Sequence, residues 1–187
     1  MNILLKQVSP FYQEIEGDNI RNSHGLNHVK EVMHLALKMN AKLNLGISEE
    51  LIITASLLHD VFSDSINRDK HHELGAEFVR KRKIPYLQKF NDEEIELIAL
   101  AINEHRGSYK GEFSSLLSEL ISSADRGEPN LDKLIKRSLK FNGGNMKDVI
   151  HHMKDKFGKG GYAKYPRIYR DYFKSELTEL QNKIEAL

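Results

Sequence analysis

The side chains able to do chemistry in this chain are its imidazoles and a few well-placed carboxylates. Nine histidines and no cysteine exclude disulfides and thiolate chemistry, while groups that bind cations or carry protons near neutral pH are abundant. Leu57-Leu58-His59-Asp60 closes an apolar helical run, and His59 lies four residues after Ala55, on nearly the same face. Successive helical residues point about 100° apart. Near a helix end, however, both side chains can lean onto one cation, which neutralises the carboxylate and uses the imidazole lone pair. Taken alone, the pair reads more readily as a core histidine hydrogen-bonded to its neighbour. Three other residues repeat the relation. His28 precedes Val32, Leu35 and Met39 by 4, 7 and 11 positions, His105 follows Ile95, Ile98 and Ile102 by 10, 7 and 3, and Asp125 follows Leu117 and Ile121 by 8 and 4. One such residue is ordinary, but four helices each ending an apolar stripe in His or Asp point to a metal site within a helical bundle.

Helices must therefore carry these groups, and the hydrophobic pattern supplies them. Apolar residues recur at helical spacing through Val29–Met39 and Leu51–Phe62. Further helices are expected over about 72–83, 92–105, 113–125, 130–141, 145–157 and 166–185, and no alternating strand is evident. Ser48 before Glu49 and Glu50 has the form of an N-cap, and Asn91 with Glu94 that of a capping box. The expectation is an all-α, single-domain helical bundle spanning 1–187, with a motif-bearing core at about 20–140 and a C-terminal helical extension at about 145–187. A chain of 187 residues with 40% hydrophobic and 29% charged side chains can bury one real core. With 28 basic and 27 acidic residues it carries a net charge of +1, which excludes a dedicated nucleic-acid coat or a polybasic membrane binder. The N-terminus lacks the pattern of a secretory signal and no run approaches a membrane span. A cytoplasmic location without membrane contact is the expectation, and a homo-oligomer is compatible with it.

The order His28, His59-Asp60, Asp125, in the contexts Ser23-His24-Gly25-Leu26-Asn27-His28-Val29, Ala55-Ser56-Leu57-Leu58-His59-Asp60-Val61 and Ser123-Ala124-Asp125-Arg126, resembles the HD-domain superfamily of metal-dependent phosphohydrolases. That resemblance covers roughly residues 20–140. It implies that these four residues bind one divalent metal. His71-His72-Glu73-Leu74-Gly75-Ala76 is similar to a branch motif in which a histidine precedes a Gly-Ala pair by one helical turn, which selects His71 over His72. His105, in Asn103-Glu104-His105-Arg106, resembles the fourth histidine of that branch. The resemblance thus implies a second ion held by His71 and His105 and bridged through Asp60. The competing reading of His71 and His72 is a polar helix start facing water. A site of imidazoles and carboxylates without thiolates suits Mn, Fe, Co, Ni or Mg, as one or two ions, better than a closed structural Zn. Such ions lower the pKa of a bound water and withdraw charge from phosphate oxygens.

The implied activity is hydrolysis of a phosphoester or phosphoanhydride in a small phosphorylated substrate of nucleotide type: a nucleotide, a dinucleoside polyphosphate or a cyclic dinucleotide. Two rivals are a di-iron oxygenase of similar architecture and a non-catalytic, metal-dependent nucleotide sensor. Asp60 and, four residues on, Asp64 are the candidates for handling the attacking water, and His24, one turn before His28, for contacting substrate. Arg106 and Arg126 each follow a ligand candidate directly and could clamp phosphate bidentately. Between Lys147 and Arg170 seven cations stand against two carboxylates, and Lys159 sits in Gly158-Lys159-Gly160-Gly161, a loop that could close over phosphate. It lacks the Gly-Lys-Ser/Thr ending of a P-loop. His34, His151 and His152 match no ligand pattern.

Overall fold

A computed structural model describes residues 2–16, 25–63, 68–141 and 145–187. Two of the candidate residues, His24 and Asp64, lie outside the described residues. Every regular element among those described is a helix: α1 (Asn2–Glu16), α2 (Leu26–Lys42), α3 (Glu49–Leu58), α4 (His71–Arg80), α5 (Asp92–Glu104), α6 (Leu116–Asp125), α7 (Leu131–Phe141), α8 (Met146–Phe157), α9 (Arg167–Tyr172) and α10 (Lys174–Glu185). A short 3-10 turn over Pro85–Lys89 joins α4 to α5. The protein is all-α, as its periodicity requires. None of its helices among the described residues is long and apolar enough to cross a membrane.

The chain divides into two compact units, Met1–Gly127 and Glu128–Leu187. The first is arranged around α3. Leu51, Ile52, Thr54, Ala55, Ser56, Leu57 and Leu58 are all buried, so this helix is covered on nearly every side, as expected of an apolar run too rich for a surface helix. α1, α2, α5 and α6 pack against it, and α4 packs on α5. Asn40 closes the α2–α3 connection by bonding both the amide and the carbonyl of Ile47, at 3.1 and 2.9 Å, around the left-handed residues Asn44 and Gly46. The second unit, α7 to α10, has its own core of Val149, Met153, Ile168, Tyr169, Phe173, Leu177, Leu180 and Ile184.

Helix starts follow local chemistry. Asn91 and Glu94 form the expected capping box, each side chain bonding the other's backbone amide at 2.9 and 3.0 Å. Ser115 accepts from the Ser118 amide, so α6 begins there and not at 113. Ser48 occupies the N-cap of α3 but makes no side-chain cap bond; Glu49 and Glu50 in the first turn complement the helix dipole instead. One further expectation needs correction: the helix expected over 166–185 is broken at Phe173, whose φ of −108° and ψ of 32° separate α9 from α10. The helix α1 has no counterpart in the sequence reading, although Leu4, Val8 and Tyr12, fully buried at spacings of four, are its inward stripe.

Candidate metal centre

Five of the six candidate ligands sit where a helix begins or ends. His28 lies in the first turn of α2, His71 opens α4, His59 and His105 are the residues just past α3 and α5, and Asp125 is the last of α6. Asp60 follows His59 in the turn that leaves α3. Helix ends suit the task because their side chains project beyond the packed stripe while the stripe fixes where the end lies.

All six converge within the first unit. One oxygen of Asp60, Oδ2, lies 3.6 Å from His28 Nε2 and 3.4 Å from His59 Nε2. The other, Oδ1, lies 3.3 Å from His71 Nε2 and 3.6 Å from His105 Nε2. Asp125 Oδ1 joins the first group, 3.1 Å from His28 Nε2 and 3.5 Å from His59 Nε2. The result is two sets of donor atoms that meet at one carboxylate: His28, His59 and Asp60 with Asp125 beside them, and Asp60, His71 and His105. His59, Asp60, His71 and His105 are buried, whereas the side chains of His28 and Asp125 are 21% and 22% exposed, so access is from their side.

The imidazole tautomers show what the cluster lacks. His59 Nδ1 faces the Ser56 carbonyl at 2.7 Å, His71 Nδ1 the Arg68 carbonyl at 2.7 Å and His105 Nδ1 the Ile102 carbonyl at 2.6 Å. A carbonyl only accepts, so each Nδ1 carries a proton and each Nε2 is left as a lone pair aimed at the centre. There the lone pairs face carboxylate oxygens and one another, His71 Nε2 and His105 Nε2 being 3.2 Å apart. His59 Nε2 is buried with no hydrogen-bond partner. Acceptors this close repel unless a cation lies among them, and backbone-anchored imidazoles with bare Nε2 atoms are the usual preparation of metal-binding histidines. The donor set fits a divalent cation. Burial disfavours the charged form of His59, but Asp60 and Asp125 outweigh it and push the imidazole well above its ordinary value, so the two carboxylates draw a positive charge, a proton or a metal ion, onto its Nε2. Burial would likewise raise Asp125, yet the hydrogen bond with His28 and the attraction of the neighbouring His59 hold it well below the usual carboxylate range. His105 goes the other way, lowered chiefly by burial.

The two adjacent histidines part: His71 faces Asp60, while His72 Nε2 is 3.9 Å from Glu73 and the His72 ring is lowered by burial and by Arg106. Gly75 explains the Gly-Ala pair one turn later. A Cβ there would stand 2.9 Å from Ile102 Cγ2, so only glycine lets α4 approach α5 closely enough for His71 to meet His105. Arg106 donates to the Asp69 carbonyl at 2.9 Å, which ties it to the segment entering α4. Arg126 is folded back along α6 and donates to the Ser122 carbonyl and, at 2.8 Å, to Ser122 Oγ. Lys159 belongs to the second unit, and its loop is a tight turn: its amide donates to Glu185 at 2.9 Å, and a Cβ on Gly158 or Gly161 would collide with backbone carbonyls. His34 is exposed, and His151 pairs with Asp155 on the surface at 3.1 Å.

Two residues around the cluster escaped the sequence reading. Glu104 is buried beside His105 and accepts from the amide of Ser114 at 2.9 Å and from its hydroxyl, pinning the loop that leads from α5 to α6. Tyr12 is fully buried behind the turn at Asp60, and burial together with the Asp60 charge raises its phenol well above the ordinary value, so it stays protonated.

The chain is similar over 106 residues, at 29% identity, to an uncharacterised protein of Clostridium beijerinckii; the match covers 56% of this chain and 67% of that protein. Its fold is similar to that of a predicted HD superfamily hydrolase from an uncultured Thermotogales bacterium, with a TM-score of 0.58 and 18% identity over 97% of this chain and 92% of the other. A family model described as the HD domain matches residues 25–140. Since that stretch is more than half of the chain and contains every helix end that delivers a side chain to the cluster, the protein belongs to the HD-domain family.

Proposed function

We propose that the protein is a metal-dependent phosphohydrolase that cleaves a phosphoester or phosphoanhydride bond in a small substrate of nucleotide type. The observation that carries this reading is Asp60, one carboxylate whose two oxygens face separate sets of imidazole nitrogens. His28, His59, Asp60 and Asp125 would hold one divalent ion and His71 and His105, with Asp60, a second. Bound there, such ions supply hydroxide near neutral pH and draw charge from phosphate oxygens. The chain's own contribution is placement. The buried histidines keep their Nδ1 protons on backbone carbonyls, so each ring is fixed in tautomer and rotation. The apolar walls of α3 and α5 exclude water from the inner side, leaving the partly exposed His28 and Asp125 as the face a phosphate would meet. Arg106, held beside α4 by Asp69, is the cation suited to a phosphate oxygen. The solved structure similar in fold carries the description of a predicted HD superfamily hydrolase, which agrees with the reading. Mononucleotides, dinucleoside polyphosphates and cyclic dinucleotides all present the required phosphate.

The test is a panel of these three substrate classes with the Mn²⁺-loaded protein, reading phosphate release and product identity together. Turnover of at least one class, abolished by Asp60→Ala, is the expected result. No turnover on any phosphorylated compound by metal-loaded protein contradicts the proposal, and dioxygen uptake by an iron-loaded sample would replace it with the oxygenase.

A further inference from the structure

Tyr12 of α1 reaches across 45 positions of sequence and donates its hydroxyl proton to the Leu57 carbonyl at 2.9 Å. Leu57 is the last residue but one of α3, where carbonyls lose their helical partners. Beyond it the four-residue ladder stops. Val61 N–H bonds the Leu58 carbonyl at 3.4 Å, Ser63 N–H bonds the Asp60 carbonyl at 3.0 Å, and the Ser56 carbonyl is taken by the His59 ring at 2.7 Å. The hydroxyl therefore anchors the C-terminal turn of α3 immediately before His59 and Asp60.

We propose that Tyr12 is a positioning residue of the metal centre, its hydroxyl standing in for the helical amide at the Leu57 carbonyl and so fixing the turn from which His59 and Asp60 reach the ligand cluster. The inference rests on the metal reading above and adds to it a residue from a helix outside the ligand-bearing set. Its physical basis is that a buried carbonyl must be paired. Without the hydroxyl, the nearest replacement for Leu57 is the Val61 amide. Restoring that bond would draw the turn after His59 into the α3 ladder, where successive side chains are held about 100° apart, and so would re-aim Asp60. Asp60 can face two sets of imidazoles only if its own backbone is held, so it is the residue most exposed to such a change.

The experiment compares wild type, Tyr12→Phe and Val8→Ala, each full length. Phenylalanine fills the same buried space, and Val8, fully buried on the same helix, reports on loss of α1 packing without touching Leu57. Mn²⁺ affinity is measured by following the free ion by electron spin resonance, the visible spectrum of the Co²⁺-loaded protein is recorded, and thermal melting supplies stability. The expected result is a folded Tyr12→Phe protein whose Mn²⁺ affinity falls about 10- to 100-fold, the range for groups that orient metal ligands, with a shifted Co²⁺ spectrum. Val8→Ala should keep both wild-type affinity and spectrum while melting earlier. Tyr12→Phe with wild-type affinity and spectrum overturns the proposal alone, as does an equal loss of affinity in Val8→Ala. A wild-type protein that binds no Mn²⁺ or Co²⁺ overturns the metal reading and this proposal with it.

Discussion

Asp60 is the residue on which the centre turns, because it alone faces both groups of imidazoles. Removing its carboxylate by Asp60→Ala should abolish metal retention and lower activity by at least about a thousandfold, while His71→Ala should lose only the ion on the His105 side and retain roughly half the metal; metal analysis of the purified variants checks both. His28, His59, His105 and Asp125 stood out because each ends an apolar stripe, and a stripe that buries its helix also fixes where its last side chain points; His71 stood out only through the resemblance to a family motif. Their protonation pattern was not legible. It depends on each ring reaching the carbonyl three residues back, a matter of side-chain rotation at a helix end that spacing does not encode. Tyr12 was missed for a related reason, since its partner, the Leu57 carbonyl, is a backbone group 45 positions away.

Helix ends carry the site, so the elements should be sensitive where they approach one another or are capped. Gly75→Ala would force a methyl to within 2.9 Å of the branched Ile102 side chain. Overpacking of this kind costs about 1–3 kcal/mol, and because His71 lies one turn away, metal affinity should fall along with the denaturation midpoint. Glu50, in the first turn of α3, is held below its ordinary carboxyl value chiefly by the hydrogen bond from Lys89. A lowered folded value means that this contact adds stability above the ordinary value of about 4.5 and loses it as the pH falls through the folded value. Lys89→Met should therefore be less stable than wild type near neutral pH, by under about 1 kcal/mol for so exposed a pair, with the difference vanishing in acid; melting curves from pH 7 to 3 read this out. At this scale the sequence specified α2 to α8 to within a few residues because their periods and caps are strong. It hid α1, where Pro10 and a short apolar start obscure the Leu4, Val8, Tyr12 stripe. It also hid the break at Phe173, a buried residue whose ring packs on the neighbouring Tyr169 and Tyr172 with centroids 5.0 and 4.7 Å away, a local arrangement that apolar periodicity does not encode.

For the whole molecule, the near-neutral charge of +1 conceals an uneven distribution. The buried carboxylates belong to the first unit, and the excess of cations between Lys147 and Arg170 to the second. The Gly-Lys-Gly-Gly segment that looked free to close over a ligand is instead a turn tied to Glu185, a long-range pairing that composition does not reveal. A cation bound only by the folded state adds stability by mass action, about 2.7 kcal/mol at one hundred times its dissociation constant. Chelation should accordingly lower the melting temperature of the unit carrying the cluster by roughly 5–10 °C, and Mn²⁺ should restore it. The most direct test of the central claim is the metal content of the wild-type protein and of Asp60→Ala, purified identically after Mn²⁺ loading and exhaustive dialysis. The account predicts at least one tightly held ion per wild-type chain and none in a folded Asp60→Ala protein; equal metal in the two, or none in either, would contradict it.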